Sequence, residues 1–147
     1  LLGFRRKGTF EGQAAMELEA MAKSKTNMLL PFDISETGDV LRLDFSPMVR
    51  KIVDEIRRGK SNTEIAYAFH MTLPVAFRGM AEAIRKRTGL NRVVLSGGCF
   101  QNRTLTEKTI TELENAGFDV FFHEVLPTND GCISLGQAVC AGAQDMR

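Results

Sequence analysis

Tryptophan is absent from this 147-residue sequence, tyrosine occurs once and histidine twice. Three cysteines, Cys99, Cys132 and Cys140, make an odd set with no Cys-x-x-Cys spacing. That argues against a disulfide framework and a zinc ribbon, and fits a reducing, cytoplasmic setting. No apolar run approaches the roughly 20 residues that a membrane span requires, so no membrane partner is expected. Neither sign of charge is in excess: 19 basic side chains face 18 acidic ones. The balance gives no basic surface for a nucleic-acid backbone and no like-charge tail. Serine-hydrolase G-x-S-x-G, Walker A and H-E-x-x-H patterns are all missing. The start, Leu1-Leu2-Gly3-Phe4-Arg5-Arg6-Lys7, lacks an initiator Met and carries its charges after the apolar residues. It is unlike a signal peptide and reads as a cut into a longer chain.

What is present is about one domain of ordinary globular composition, 44% hydrophobic and 25% charged. Thr9 is placed to cap a first helix running to about Lys25, with Ala14, Leu18, Met21 and Ala22 on one face. Met28–Ile34 and Val40–Phe45 flank the turn Glu36-Thr37-Gly38-Asp39, a hairpin pattern whose second strand has one wet face. Ser46-Pro47 reads as an N-cap with proline at the first helical position, and Met48, Ile52, Val53 and Ile56 turn inward before Gly59. A long helix is predicted over Asn62–Thr88, with a stripe of Ile65, Phe69, Leu73, Phe77, Met80 and Ile84. Pro74 removes the bond to the His70 carbonyl and is expected to kink it. Arg85-Lys86-Arg87 closes this helix against its negative end. Arg92–Ser96 is Val/Leu-rich, the pattern of a strand buried on both faces. A helix over Arg103–Ala116, a strand over Asp119–His123 and a helix over Asp130–Ala143 complete the chain. Strand, helix, strand, helix implies parallel pairing. The fold class is therefore α/β, a short parallel sheet with flanking helices.

The turn Ser96-Gly97-Gly98-Cys99-Phe100-Gln101-Asn102 lies between a strand and a helix. Glycines at a strand's carboxyl end let backbone approach a ligand, and the next helix offers N–H groups suited to phosphate. Asn102 adds an amide for ribose or phosphate oxygens. A tight turn needing positive φ accounts for the same glycines without a ligand. Asp130, in Asn129-Asp130-Gly131, either caps the last helix or, since successive parallel strand ends share an edge, faces the same cleft as a metal-binding carboxylate. His70 is expected to be a hydrogen-bonded core residue, Cys99 a small buried one, and His123 has no partner nearby in sequence. Glu11 and Gln13, in Phe10-Glu11-Gly12-Gln13-Ala14-Ala15, suit a helix N-terminus.

Together, Phe10–Ala15, Phe69-His70, Leu95–Asn102, Asn129-Asp130-Gly131 and Leu135-Gly136-Gln137-Ala138 resemble the hydrogenase-maturation carbamoyltransferases, the HypF family. The resemblance covers the whole chain, residues 1–147, in order. It implies that the chain is the C-terminal segment of a threonylcarbamoyl-transferase-like domain with the actin-like ATPase (RNase H-like) fold. It further implies an enzyme that uses carbamoyl phosphate and ATP, through carbamoyl adenylate, to carbamoylate the C-terminal cysteine of its partner HypE. The product becomes a cyanide ligand in [NiFe] hydrogenases. Carried over by motif, Gly97, Gly98 and Asn102 match the nucleotide motif, Glu11 and Gln13 a block near the cleft, and Asp130 a ligand of a divalent metal. Cys132 departs from the glycine expected after Asp-Gly, a change expected to touch packing only. The family's paired metal-binding histidines and its carbamoyl-AMP-forming domain belong before Leu1, so this piece alone is not expected to turn over.

A related O-carbamoyltransferase or tRNA threonylcarbamoyl transferase would share the Gly-Gly…Asn and Asp-Gly features, but the Glu-Gly-Gln-Ala-Ala and Phe-Gln-Asn blocks argue against both. A non-catalytic actin-like interaction module is opposed by Asn102 and Asp130. With the rest of the actin-like sheet elsewhere, the isolated chain is expected to self-associate through its open edge or through swapped helices.

Overall fold

A computed structural model describes residues 2–3 and 8–145, which leaves most of the basic start outside the described residues. Among the described residues five α-helices and four strands follow one another as α1 (Gln13–Met21), β1 (Asp33–Thr37), β2 (Val40–Asp44), α2 (Ser46–Arg57), α3 (Asn62–Thr88), β3 (Arg92–Leu95), α4 (Arg103–Asn115), β4 (Asp119–Phe122) and α5 (Ile133–Asp145). β1 and β2 pair antiparallel across the two-residue turn Gly38-Asp39, and β3 and β4 pair parallel with Val94 opposite Phe121. The chain is thus α/β, with a short parallel sheet flanked by helices. Among the described residues no helix is long and apolar enough to cross a membrane.

α3 is the spine because its ends are well specified. Ser61 accepts from Glu64 N–H at 3.3 Å and donates its hydroxyl to the Glu64 carboxylate at 2.8 Å, a reciprocal cap. The helix is continuous through Pro74, which is buried. At its first half Leu30, Met48, Ile52, Ile65 and Ala68 form one apolar cluster, against which Phe69 and Leu73 pack. Towards its end Leu95, Leu113 and Phe118 form a second, joined by Ala81, Val93 and Val120. Gly79 lets the hairpin in: a Cβ there would lie 3.0 Å from Ile34 Cδ1. The basic run that closes α3 also fastens neighbouring elements. Arg85 stands 4.0 Å from the Phe118 ring centroid and donates to the Ala116 carbonyl, while Arg87 donates to the Asp39 carbonyl and pairs with Glu36.

Several local expectations shift. Thr9 does not cap α1: the helix starts after Gly12 without a side-chain cap, and both Thr9 N–H and Oγ–H donate to Gln13 Oε1. The first hairpin strand lies later than Met28–Ile34, because Leu30 is spent against α3, its N–H donating to Thr72 Oγ1 at 2.8 Å. Ser46 is inside α2 rather than its cap, and its N–H and hydroxyl both donate to Asp44. β3 is covered on one face only: Leu95 is buried, but Val94 is 69% exposed and its partner Phe121 53%. The other face packs against α3 and α4, where Ala81 and Ile110 meet the Leu95–Leu113–Phe118 cluster.

Candidate functional site

The carboxyl ends of β3 and β4 are tied together just beyond the sheet. Gly97 N–H donates to the Thr128 carbonyl at 2.8 Å, and Ser96 Oγ and His123 Nε2 are hydrogen-bonded at 3.0 Å. His123, with no partner nearby in sequence, finds this one 27 positions back in the chain. Gly97 adopts φ 103°, a region that a side chain would strain, so glycine is required there by the backbone itself. Gly98 is different. Its φ is not positive, and a Cβ added to it would meet nothing within 4 Å.

From Gly98 the chain makes a 3-10 turn to Gln101 and enters α4 through Asn102. Asn102 caps this helix, its Oδ1 accepting from Leu105 N–H at 2.8 Å, while its Nδ2 lies 3.0 Å from His70 Nε2. His70 is buried, as expected, and its Nδ1 lies 2.8 Å from the Ala66 carbonyl. Across from the turn stands α1, whose Glu19 Oε1 accepts from Thr104 N–H at 2.8 Å. The first turn of α4 is thus not an open set of donors as its sequence suggests. Two of its N–H groups are already satisfied, one by a carboxylate that complements the positive helix end.

Between α1 and this turn lies a cleft of about 540 Å³, lined by Glu11, Gly12, Glu19, Gly98, Cys99 and Asn102 among others. Of the residues singled out in sequence, Glu11, Gly98 and Asn102 meet here. Gly97 lies one step back, holding the turn to the Thr128 loop. Gln13 does not line the cleft: its Oε1 holds Thr9, and its Nε2 donates to Glu17 at 3.2 Å. Asp130 is exposed at the head of the 3-10 turn before α5 and does not line the cleft either. Asn129, not Asp130, caps that turn, accepting from Gly131 N–H at 3.0 Å. Cys99 is exposed rather than buried, since the turn projects past the sheet edge into the open cleft. Glu19 had no signal in the sequence; only its contact with Thr104, 85 positions away, marks it.

Residues 1–137 match the C-terminal region of the HypF proteins, described as carbamoyltransferase, Kae1-like domain, second subdomain. The chain belongs to the HypF carbamoyltransferase family. It is 38% identical over 138 residues to carbamoyltransferase HypF of Synechocystis sp., covering 93% of this chain and 17% of that protein. A crystal structure of full-length HypF in a phosphate- and nucleotide-bound form superposes with TM-score 0.89 at 41% identity, over 95% of this chain and 18% of that one. HypF of T. kodakarensis superposes at TM-score 0.77 and 29% identity, over 95% of this chain and 18% of that one. The chain therefore spans less than a fifth of the length of these HypF proteins.

Proposed function

We propose that the chain is the C-terminal segment of the actin-like, threonylcarbamoyl-transferase-like domain of a cytoplasmic HypF carbamoyltransferase, and that it contributes one wall of an ATP site. The enzyme uses carbamoyl phosphate and ATP, by way of carbamoyl adenylate, to carbamoylate the C-terminal cysteine of HypE, which leads to the cyanide ligand of [NiFe] hydrogenases. The observation that carries the nucleotide reading is Gly98. Neither a positive φ nor any neighbouring atom among the described residues demands glycine, yet it lines the cleft that Glu11 and Asn102 share. A missing Cβ that nothing inside the chain requires is accounted for by a ligand approaching the backbone there. The cleft is within the range of small-molecule sites. A relative of 41% identity was crystallised with phosphate and nucleotide, which supports the same reading.

A divalent metal belongs to the same proposal. Asp130 offers the oxygen chemistry of a hard cation's ligand, and the Gly97–Thr128 bond brings its loop to the sheet edge where Gly98 lies. Among the described residues no group of three or more His, Cys, Asp or Glu is arranged to hold an ion. The chain can therefore supply one ligand, with the others coming from the part of the enzyme before it. When bound, such an ion would offset phosphate charge; the chain's own part is to present the carboxylate.

The test uses two substitutions in the full-length enzyme that carries this chain. Gly98→Ala introduces a methyl that meets no described atom of this chain, so the chain's own fold should be kept while ATP affinity drops. Asn102→Ala should weaken ATP binding by about 1–3 kcal/mol, the cost of stranding hydrogen-bonding groups in a dry site. Normal ATP affinity in both variants, measured by calorimetry, would refute the assignment.

A further inference from the structure

The cap of α4 and the core of α3 are joined by a hydrogen-bonded chain whose polarity is forced from both ends. At one end the Ala66 carbonyl can only accept, so His70 Nδ1, 2.8 Å away, carries the proton. At the other end Leu105 N–H can only donate, so the atom of Asn102 that lies 2.8 Å from it is the carbonyl Oδ1. The Asn102 amide nitrogen must then face His70 Nε2, 3.0 Å away, and that nitrogen must be the bare, accepting one. His70 is neutral in this arrangement, buried to 2% exposure, with the Phe69 ring edge-on at 5.7 Å between centroids.

We infer that His70 is a positioning residue for Asn102: it fixes which way the carboxamide is turned at the edge of the cleft. A primary amide has two N–H groups and two carbonyl lone pairs. His70 and Leu105 consume one of each, so one N–H and one lone pair remain, in a set direction, for a ligand. With His70 gone, the local bond to Leu105 still caps the helix, but the amide nitrogen loses its anchor and the group can rotate about its remaining contact. The loss then falls on ligand affinity rather than on the existence of α4. This inference rests on the proposal that Asn102 contacts nucleotide.

A double-mutant cycle in the full-length enzyme, read as the Kd for ATP, separates the possibilities. His70→Leu, which keeps apolar bulk and removes the acceptor, should raise Kd by about tenfold, the scale set by one hydrogen bond in a dry site. His70→Gln, which restores an acceptor, should bring Kd back to within about threefold of the parent on the same scale. In the double variant His70→Leu/Asn102→Ala, Kd should match that of Asn102→Ala alone, because His70 acts only through Asn102. Multiplying effects, or a normal Kd for His70→Leu beside a weakened Asn102→Ala, would overturn the positioning role while leaving the nucleotide site standing. A normal Kd for Asn102→Ala would instead remove the contact between Asn102 and nucleotide on which this inference rests, leaving Gly98→Ala to decide the site itself. If His70→Leu fails to fold, His70→Met, flexible enough to fill the same space, takes its place in the cycle with the same outcomes.

Discussion

Thr72 gives the sharpest test of how the first apolar cluster is held. It is fully buried on α3, donates its hydroxyl to the Ala68 carbonyl at 2.7 Å and accepts from Leu30 N–H at 2.8 Å. Leu30 is itself 2% exposed and lies in a segment without regular secondary structure, outside both sheets. Thr72→Val keeps shape and volume but removes that acceptor. The Ala68 carbonyl still receives its helical bond, so the loss is concentrated on one buried donor. Stranding such a donor costs about 1–3 kcal/mol, and the added apolar methyl returns up to about 0.8 kcal/mol. With the full return the net is about 0.2–2 kcal/mol, which for a chain of this size lowers the melting temperature by roughly 1–8 °C. Urea denaturation gives the free energy, and amide exchange at Leu30 gives the mechanism. Thr72→Ser, which retains the hydroxyl, should keep Leu30 protected while Thr72→Val loses that protection. A valine variant as stable as the parent, with Leu30 still protected, would refute the reasoning.

Other outcomes follow from the site and the surface. The isolated chain should hold no stoichiometric ion at Asp130, because one carboxylate competes poorly with water; a chelator-resistant metal found there by elemental analysis would contradict the shared-ligand proposal. The same chain should self-associate at micromolar concentration through the uncovered Val94–Phe121 face, and Phe121→Lys should return it to a monomer; light scattering that finds the parent monomeric removes the idea. Acid should weaken the fold in part through Glu55, whose carboxyl is held below its ordinary 4.5 by the Lys51 hydrogen bond, against the opposing effect of burial, with the Lys51 charge, an Arg58 hydrogen bond and the Arg58 charge adding to the lowering. With a depressed folded value, this stabilisation is present above the unfolded value and lost as pH falls through the folded one. Glu55→Gln should therefore flatten the acid limb of the stability curve, and an unchanged limb would exclude that contribution.

Much of the framework was legible in the sequence because it depends on neighbours within one turn or one strand. The apolar stripe from Ile65 to Ile84 marks α3, and the strand–helix–strand order of the last third entails a parallel pair. The motif blocks likewise pointed to the HypF family. Where local signals compete, sequence misleads: Met28–Ile34 reads as a strand, but packing on α3 claims Leu30 first and the strand is Asp33–Thr37. Cysteine's usual burial predicts a buried Cys99, whereas its position past the sheet edge leaves it in the cleft.

By itself, then, the sequence determined the element types, the direction of the β3–β4 pair and the identity of the glycine turn. Tertiary structure alone decided which side chains answer one another across the chain. His70 with Asn102, Ser96 with His123, Glu19 with Thr104 and Gly97 with Thr128 each join positions tens of residues apart. Propensity and periodicity reach only a few residues, while a hydrogen bond requires two groups within about 3 Å in a set direction. That condition is met only once α1, α3, α4 and the two strand ends have packed.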